Sequence, residues 1–152
     1  MEKIITIVGT TASGKSDLGI YLAKKFDGEI VSCDSRQVYK GLDLGTGKVT
    51  AEEQSEVRHH LIDIIEPNEK FSLAEYQKLA YSAIDDILAR NKLPFLVGGT
   101  GLYSRAVTQG YNLSEEEDDP ALREKINAMS ADEIVTALKN AGEVVPDGLS
   151  PR

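Results

Sequence analysis

Three short stretches hold residue types that can do chemistry together. Gly9-Thr10-Thr11-Ala12-Ser13-Gly14-Lys15-Ser16 satisfies GxxxxGK[ST]. In that pattern glycines let backbone N–H groups turn onto a polyphosphate, the lysine neutralises a terminal phosphate, and the serine hydroxyl can ligate Mg²⁺. Asp34 follows a second apolar run, Glu29 to Cys33. A carboxylate beside a bound polyphosphate can hold Mg²⁺, take a proton from an acceptor, or cap the Ser35-Arg36-Gln37 turn that follows it. Gly98-Gly99-Thr100-Gly101 comes after a third run, Pro94 to Val97. Many phosphate-loop proteins end this strand with an aspartate that supports Mg²⁺. Here glycines and a threonine hydroxyl offer a close backbone approach and a neutral hydrogen-bond partner, or simply a turn from strand to helix.

Other reactive side chains read as structural. His59 and His60 are adjacent, so on a strand they point to opposite faces and cannot jointly hold a metal. Cys33 sits in an apolar strand and reads as a small buried residue, not a nucleophile. Tyr76 and the leucines of its helix read as core, and Glu115 to Asp119 as a solvated acidic turn.

The elements that must position these residues follow from hydrophobic pattern. Ile4 to Val8 is β-branched without alternation, the pattern of a strand buried on both faces of a parallel sheet. Gly14 to Phe26 reads as a helix with an apolar stripe at Leu18, Leu22 and Phe26, stopped by Gly28. With Glu29 to Cys33 this makes a β-α-β unit. A short helical turn is expected near Gln37-Val38-Tyr39, then loop as far as Glu56, with a short strand from His60 to Ile65. The Ser72/Glu75 capping box, with Phe71 and Tyr76 as staple, starts a helix that runs to about Arg90. Pro94 to Val97 returns as a strand, and the glycine turn opens a helix to about Gln109. Asp119 and Pro120 then cap a helix, a Ser130/Glu133 box starts another ending near Gly142, and Pro146 to Arg152 is expected to be loose. The fold class is α/β: a P-loop NTPase-like parallel sheet flanked by helices, with a short helical C-terminal extension. The expected division is a core over 1–110 and an acidic helical segment over 111–152.

Bulk properties narrow the function. The 152 residues carry 17 Lys+Arg against 25 Asp+Glu, a net charge of −8. Residues 1–110 hold thirteen basic against fifteen acidic side chains, and 111–152 hold four against ten. That balance argues against indiscriminate nucleic-acid binding, which needs clustered Lys and Arg. One cysteine leaves no disulfide partner within the chain. No apolar run reaches the roughly 20 residues of a membrane span, and the start is too short and too acidic for a secretory signal, so the expected location is cytoplasmic.

Four ordered blocks together resemble the tRNA dimethylallyltransferase (tRNA isopentenyltransferase) family. They are GTTASGKS from Gly9, CDSRQVYKGLDLGTGK from Cys33 to Lys48, HHLIDI from His59 to Ile64, and LVGGTGLY from Leu96 to Tyr103. The likeness runs from Ile4 to about Lys125 and is looser from Ala128 to Arg152. It implies a kinase-like fold in which the Gly9–Ser16 loop (Gly9, Thr10, Thr11, Ala12, Ser13, Gly14, Lys15, Ser16) grips the diphosphate of dimethylallyl diphosphate instead of ATP. It also implies that the adenosine 3′ of a tRNA anticodon enters a channel, where its N6 attacks the allylic carbon and pyrophosphate leaves. Asp34 would then accept the amine proton, Lys15 and Mg²⁺ near Ser16 would take charge on the pyrophosphate, and Thr100 would help place the reacting groups. Asp34, Ser35, Arg36, Gln37, Thr100 and Arg123 would touch the tRNA.

Members of that family are much longer. The expectation is therefore of a chain truncated relative to the family, which keeps the diphosphate pocket and binds the anticodon stem-loop weakly or not at all. Three rival readings stand beside it: a small-molecule or nucleoside kinase using ATP, an adenylate isopentenyltransferase acting on free nucleotide, and a phosphate-binding remnant without catalysis.

Overall fold

The computed structural model describes residues 3–113 and 119–145. The chain divides into two compact units, 1–114 and 115–152. In the first, β1 (Ile5–Val8), α1 (Lys15–Lys25), β2 (Gly28–Ser32), α2 (Ala51–Glu56), β3 (His59–His60), α3 (Leu73–Ala89), β4 (Leu93–Gly98) and α4 (Gly101–Thr108) follow in order. The strands make one parallel sheet in the order β1-β4-β2-β3. Strand β4 is inserted between the first two, so the loops after β1, β2 and β4 all emerge at one end of the sheet, the crevice where ligands of open α/β sheets bind.

The two central strands are buried on both faces because helices cover both. Ile30, Phe95 and Val97 face α1 and pack with Ile20 and Ala23. Val31, Cys33 and Leu96 pack with Tyr76, Ala80, Ile84 and Ile87 of α3 and with Tyr103 and Val107 of α4. Tyr76 stacks on Tyr103 with ring centroids 3.9 Å apart, and its hydroxyl donates to the Ser32 carbonyl at 3.0 Å. That bond ties α3 to the end of β2, next to Asp34.

Several expectations are corrected. Strand β1 is not buried on both faces: it lies at the sheet edge, its residues alternate between half-buried and exposed, and Val8 is 56% exposed. Only Leu22 of the expected stripe packs, half-buried, against the core that α1 shares with the sheet; Leu18 and Phe26 are exposed and do not face the sheet. Gly19, Ile20 and Ala23 do, because small residues let the helix come close; a Cβ on Gly19 would already sit 3.0 Å from Val97 Cγ2. The strand expected from His60 to Ile65 is only His59–His60, ended by left-handed backbone at Leu61 and Asp63. Residues 35–38 form a turn, not a helix, and the expected loop contains α2. Leu79 of α3 is 42% exposed instead of core. The Ser72/Glu75 capping box forms as expected.

In the second unit, α5 (Pro120–Asn127) is capped by Asp119, and α6 (Ala131–Asn140) by the Ser130/Glu133 box. Neither helix buries a residue. Residues 115–118 of the acidic turn and Pro146 to Arg152 lie outside the described residues.

Candidate active site

The glycine loop between β1 and α1 has the backbone of an anion cradle. Ala12 and Gly14 adopt φ of 61° and 77°, and this alternation of hand directs successive N–H groups to one side. Gly14 is the N-cap of α1 and supplies no side-chain cap, so the first N–H groups of the helix stay open to a ligand. Lys15 Nζ donates to the Thr10 carbonyl at 3.0 Å, folded back over its own loop. Residues Thr11 to Asp17, Asp34, Gln37, Thr46 and Gly47 line a cleft of about 250 Å³.

Asp34 divides its two oxygens between two tasks. Oδ1 accepts the Arg36 N–H at 3.0 Å and caps the turn after β2. Oδ2 points toward the cradle: the position of a methyl on Gly99 lies 3.8 Å from it, 3.7 Å from Lys15 Cε and 3.4 Å from the Gly9 carbonyl. The acid, the lysine and the loop thus meet around one bare glycine.

Thr100 supports this arrangement from behind. Its Oγ1 accepts the Ser35 N–H at 2.9 Å and its hydroxyl donates to Ser35 Oγ at 3.2 Å, while its own N–H donates to the Cys33 carbonyl at 3.1 Å. Its polar atoms hold the Asp34 turn against α4. Gln37 is buried and similarly engaged: Ser32 Oγ donates to its Oε1 at 3.5 Å, and its Nε2 donates to the Gly47 carbonyl at 2.9 Å. Arg36 is exposed on the turn, and Arg123 lies on α5 of the second unit.

Two residues in and around the cleft were given no site role by sequence: Lys48 behind its wall and His59 on its floor. Lys48 is almost wholly buried, and its ammonium donates to the Tyr39 carbonyl and Asp43 Oδ1, both at 2.8 Å, and to Asp63. Burial works against its charge, yet the bonds to Asp43 and Asp63 raise its pKa above the ordinary lysine value. It pins the 41–47 loop that walls the cleft, and the glycine spacing GLDLGTGK before it was the available signal. His59, read as structural, lines the floor of the cleft with Ser16, Ser32 and Asp34. Its Nδ1 lies 2.7 Å from the Val57 carbonyl and donates to it, and burial lowers its pKa, so the ring is neutral with a lone pair on Nε2.

His60 turns to the other face, as adjacency requires, and bonds Glu29 at 2.8 Å. Glu29 is buried and also paired with Arg90 by both oxygens, with Lys92 at 3.4 Å and Arg58 at 3.9 Å. Its pKa falls to about 2, chiefly through the Arg90 hydrogen bonds. None of this cluster's residues lines the cleft, and the pattern of β2 gave no sign of it. Cys33 is fully buried, and burial raises its thiol to about 12, so it is no nucleophile.

The IPP transferase family model matches residues 37–147. The chain belongs to the IPP transferase family. It is 51% identical over 147 residues to the tRNA dimethylallyltransferase of Oceanobacillus iheyensis, covering 94% of this chain and 47% of that protein. Against the tRNA dimethylallyltransferase of a Roseiflexus species it is 55% identical over 132 residues, 87% of this chain and 43% of the relative. The crystal structure of the full-length tRNA isopentenylpyrophosphate transferase of Bacillus halodurans superposes with a TM-score of 0.73 at 46% identity, over 93% of this chain and 48% of that one. A eukaryotic dimethylallyltransferase acting on tRNA aligns with a TM-score of 0.69 at 31% identity, over 90% of this chain and 38% of that one. The chain spans about half the length of the family members it matches. No helix among the described residues is long and apolar enough to cross a membrane.

Proposed function

We propose that this cleft is the reaction centre of a tRNA dimethylallyltransferase, transferring a dimethylallyl group from dimethylallyl diphosphate to N6 of the adenosine 3′ of the anticodon. The observation that carries this reading is the meeting of Asp34 Oδ2 and Lys15 around Gly99. An exocyclic adenine amine is a poor nucleophile because its lone pair is delocalised into the ring, so it needs both a base and a stabilised leaving group. The cleft supplies both within one opening.

The diphosphate lies on the N–H groups of Thr11 to Ser16, and Lys15 leaves Thr10 to neutralise it. N6 forms a bond to the allylic C1 as the C1–O bond breaks; its electron pair leaves with pyrophosphate, and the amine proton passes to Asp34 Oδ2. Thr100 acts through Ser35 to hold that carboxylate in place. Ser16 would hold Mg²⁺ through its hydroxyl. Oxygen donors suit this ion, and Ser16 lines the same cleft as the other residues of the loop. When bound, the ion supplies positive charge to the leaving group.

Ser35, Arg36 and Arg123 are assigned to the RNA, with Asp34 orienting the amine. Gln37 and Thr100 contribute at this end of the cleft mainly by holding its walls. The net charge of −8 makes the chain's own affinity for an anticodon stem-loop weak. The expected location is the cytoplasm, where tRNA is the available acceptor.

Calorimetry with dimethylallyl diphosphate–Mg²⁺ against ATP–Mg²⁺, followed by mass spectrometry of an anticodon stem-loop and of AMP after incubation, tests the reading. Preferred binding of the prenyl diphosphate and prenylation of the stem-loop are expected. Preferred ATP binding would sink it in favour of a kinase, and prenylated AMP in favour of a free-nucleotide transferase.

A further inference from the structure

Where other phosphate-loop proteins end the central strand with a carboxylate that supports the hydration shell of Mg²⁺, β4 ends in Gly98. No side chain fits there: a Cβ on Gly98 would overlap the carbonyl carbon and oxygen of Cys33 and lie 2.8 Å from its sulfur. Acceptors for metal-bound water must come from another part of the cleft.

The floor beside Ser16 is a chamber of about 20 Å³, bordered by Ser32, Asp34, Gln37, Val49 and His59. It has room for about one water molecule. Most of its polar atoms are already committed within the protein. Gln37 is bonded at both ends of its amide, and Asp34 Oδ1 caps its turn. His59 uses Nδ1 on the Val57 carbonyl, which leaves Nε2 as an acceptor. Strand pairing puts His59 on this side, opposite Ile30 in the register, whereas His60 goes to Glu29. Among the side chains that border this chamber, Asp34 Oδ2 and His59 Nε2 therefore remain as acceptors without a hydrogen bond inside the protein, whereas Asp17 lines the open cleft and not the chamber. The water shell of Mg²⁺ offers only donors, so a neutral imidazole complements it and an imidazolium would not.

We propose that His59 Nε2 accepts a hydrogen bond from a water of the Mg²⁺–diphosphate complex, replacing the strand-end carboxylate that Gly98 excludes. This rests on the diphosphate reading and deepens it by assigning a second support for the metal's water shell. His59 is a positioning residue, since it reaches the ion through water.

Titrating pyrophosphate into the chain with and without Mg²⁺ separates the two readings. In the wild type, Mg²⁺ tightens pyrophosphate binding. In His59→Phe the metal-free affinity stays the same and the gain from Mg²⁺ falls about 10-fold, while His59→Gln, whose amide oxygen can accept, recovers most of it. Long-range ¹⁵N–¹H spectra of the wild type give a check that needs no variant: the His59 Nε2 resonance moves with Mg²⁺–pyrophosphate and not with pyrophosphate alone. An equal gain in wild type and His59→Phe, or an Nε2 resonance indifferent to the metal, overturns the role of His59 and leaves the diphosphate reading intact. A wild type that binds no pyrophosphate under either condition overturns both.

Discussion

Glu29 and Asp34 stand at opposite ends of β2, five residues apart, each near one of two adjacent histidines. Glu29 is buried among Arg90, His60, Lys92 and Arg58, and both of its oxygens are committed. Asp34 has one oxygen committed to its own turn and the other facing an open cleft. A carboxylate whose partners are all present holds the fold together, whereas one with an acceptor left over can take a proton from a substrate. Position explains the difference. In a parallel sheet the carboxyl ends of the strands gather the loops into a crevice, and the amino ends are closed over by helix ends such as Arg90.

The comparison can be broken by exchanging the two kinds of loss. Asp34→Asn should lower prenyl-transfer turnover by about 10²- to 10⁴-fold, with a melting temperature close to wild type. A large loss of stability with little loss of turnover would place Asp34 with Glu29.

The paired glycines sharpen the same contrast within two residues. Gly98→Ala drives a methyl into the Cys33 backbone and should destabilise the fold by about 4 kcal/mol or more, visible as loss of cooperative unfolding in urea. Gly99→Ala meets only ordinary contacts, so it should fold normally and lose about 10²-fold in turnover, because its methyl stands between Lys15 and Asp34.

Glu29→Gln should cost about 3 kcal/mol by chemical denaturation and leave pyrophosphate affinity unchanged, since it removes the buried charge shared by Arg90, His60 and Lys92 although Arg90 keeps Asp86. Its pH dependence has a definite sign. The folded pKa of about 2 lies below the ordinary 4.5. The stabilisation is therefore fully present above about pH 4.5 and lost as pH falls toward about 2. Denaturation curves across that window should converge for wild type and Glu29→Gln.

The smallest effect tests the exposed side of α1. Leu18→Gln should change stability by less than about 0.5 kcal/mol, because Leu18 is 48% exposed. A loss of about 2 kcal/mol would restore it to the core.

Much of the candidate site is local and could be read directly. The loop pattern, the helix behind it and the aspartate after β2 each depend on near neighbours in the chain, and capping boxes at Ser72 and Ser130 announced two helices. The box at Thr50 and Glu53 offered the same signal for α2 and went unread among the glycines that precede it. Orientation was less legible. Periodicity assigned Leu18, Leu22 and Phe26 to the inner face of α1, but only Leu22 packs there, because close approach to Val97 favoured the side bearing Gly19 and Ala23. The likeness of four motif blocks to tRNA dimethylallyltransferases agrees with the family match.

The sequence by itself determined the glycine loop after β1, most of the strands and helices in chain order, and the presence of an acid after the second strand, because each is set by residues close together in the chain. Only the tertiary structure decided which acid has a free oxygen, which of two neighbouring histidines meets the cleft, and why no side chain can stand at Gly98. Those outcomes depend on the insertion of β4 between β1 and β2 and on the β2–β3 register, which bring together groups distant in sequence.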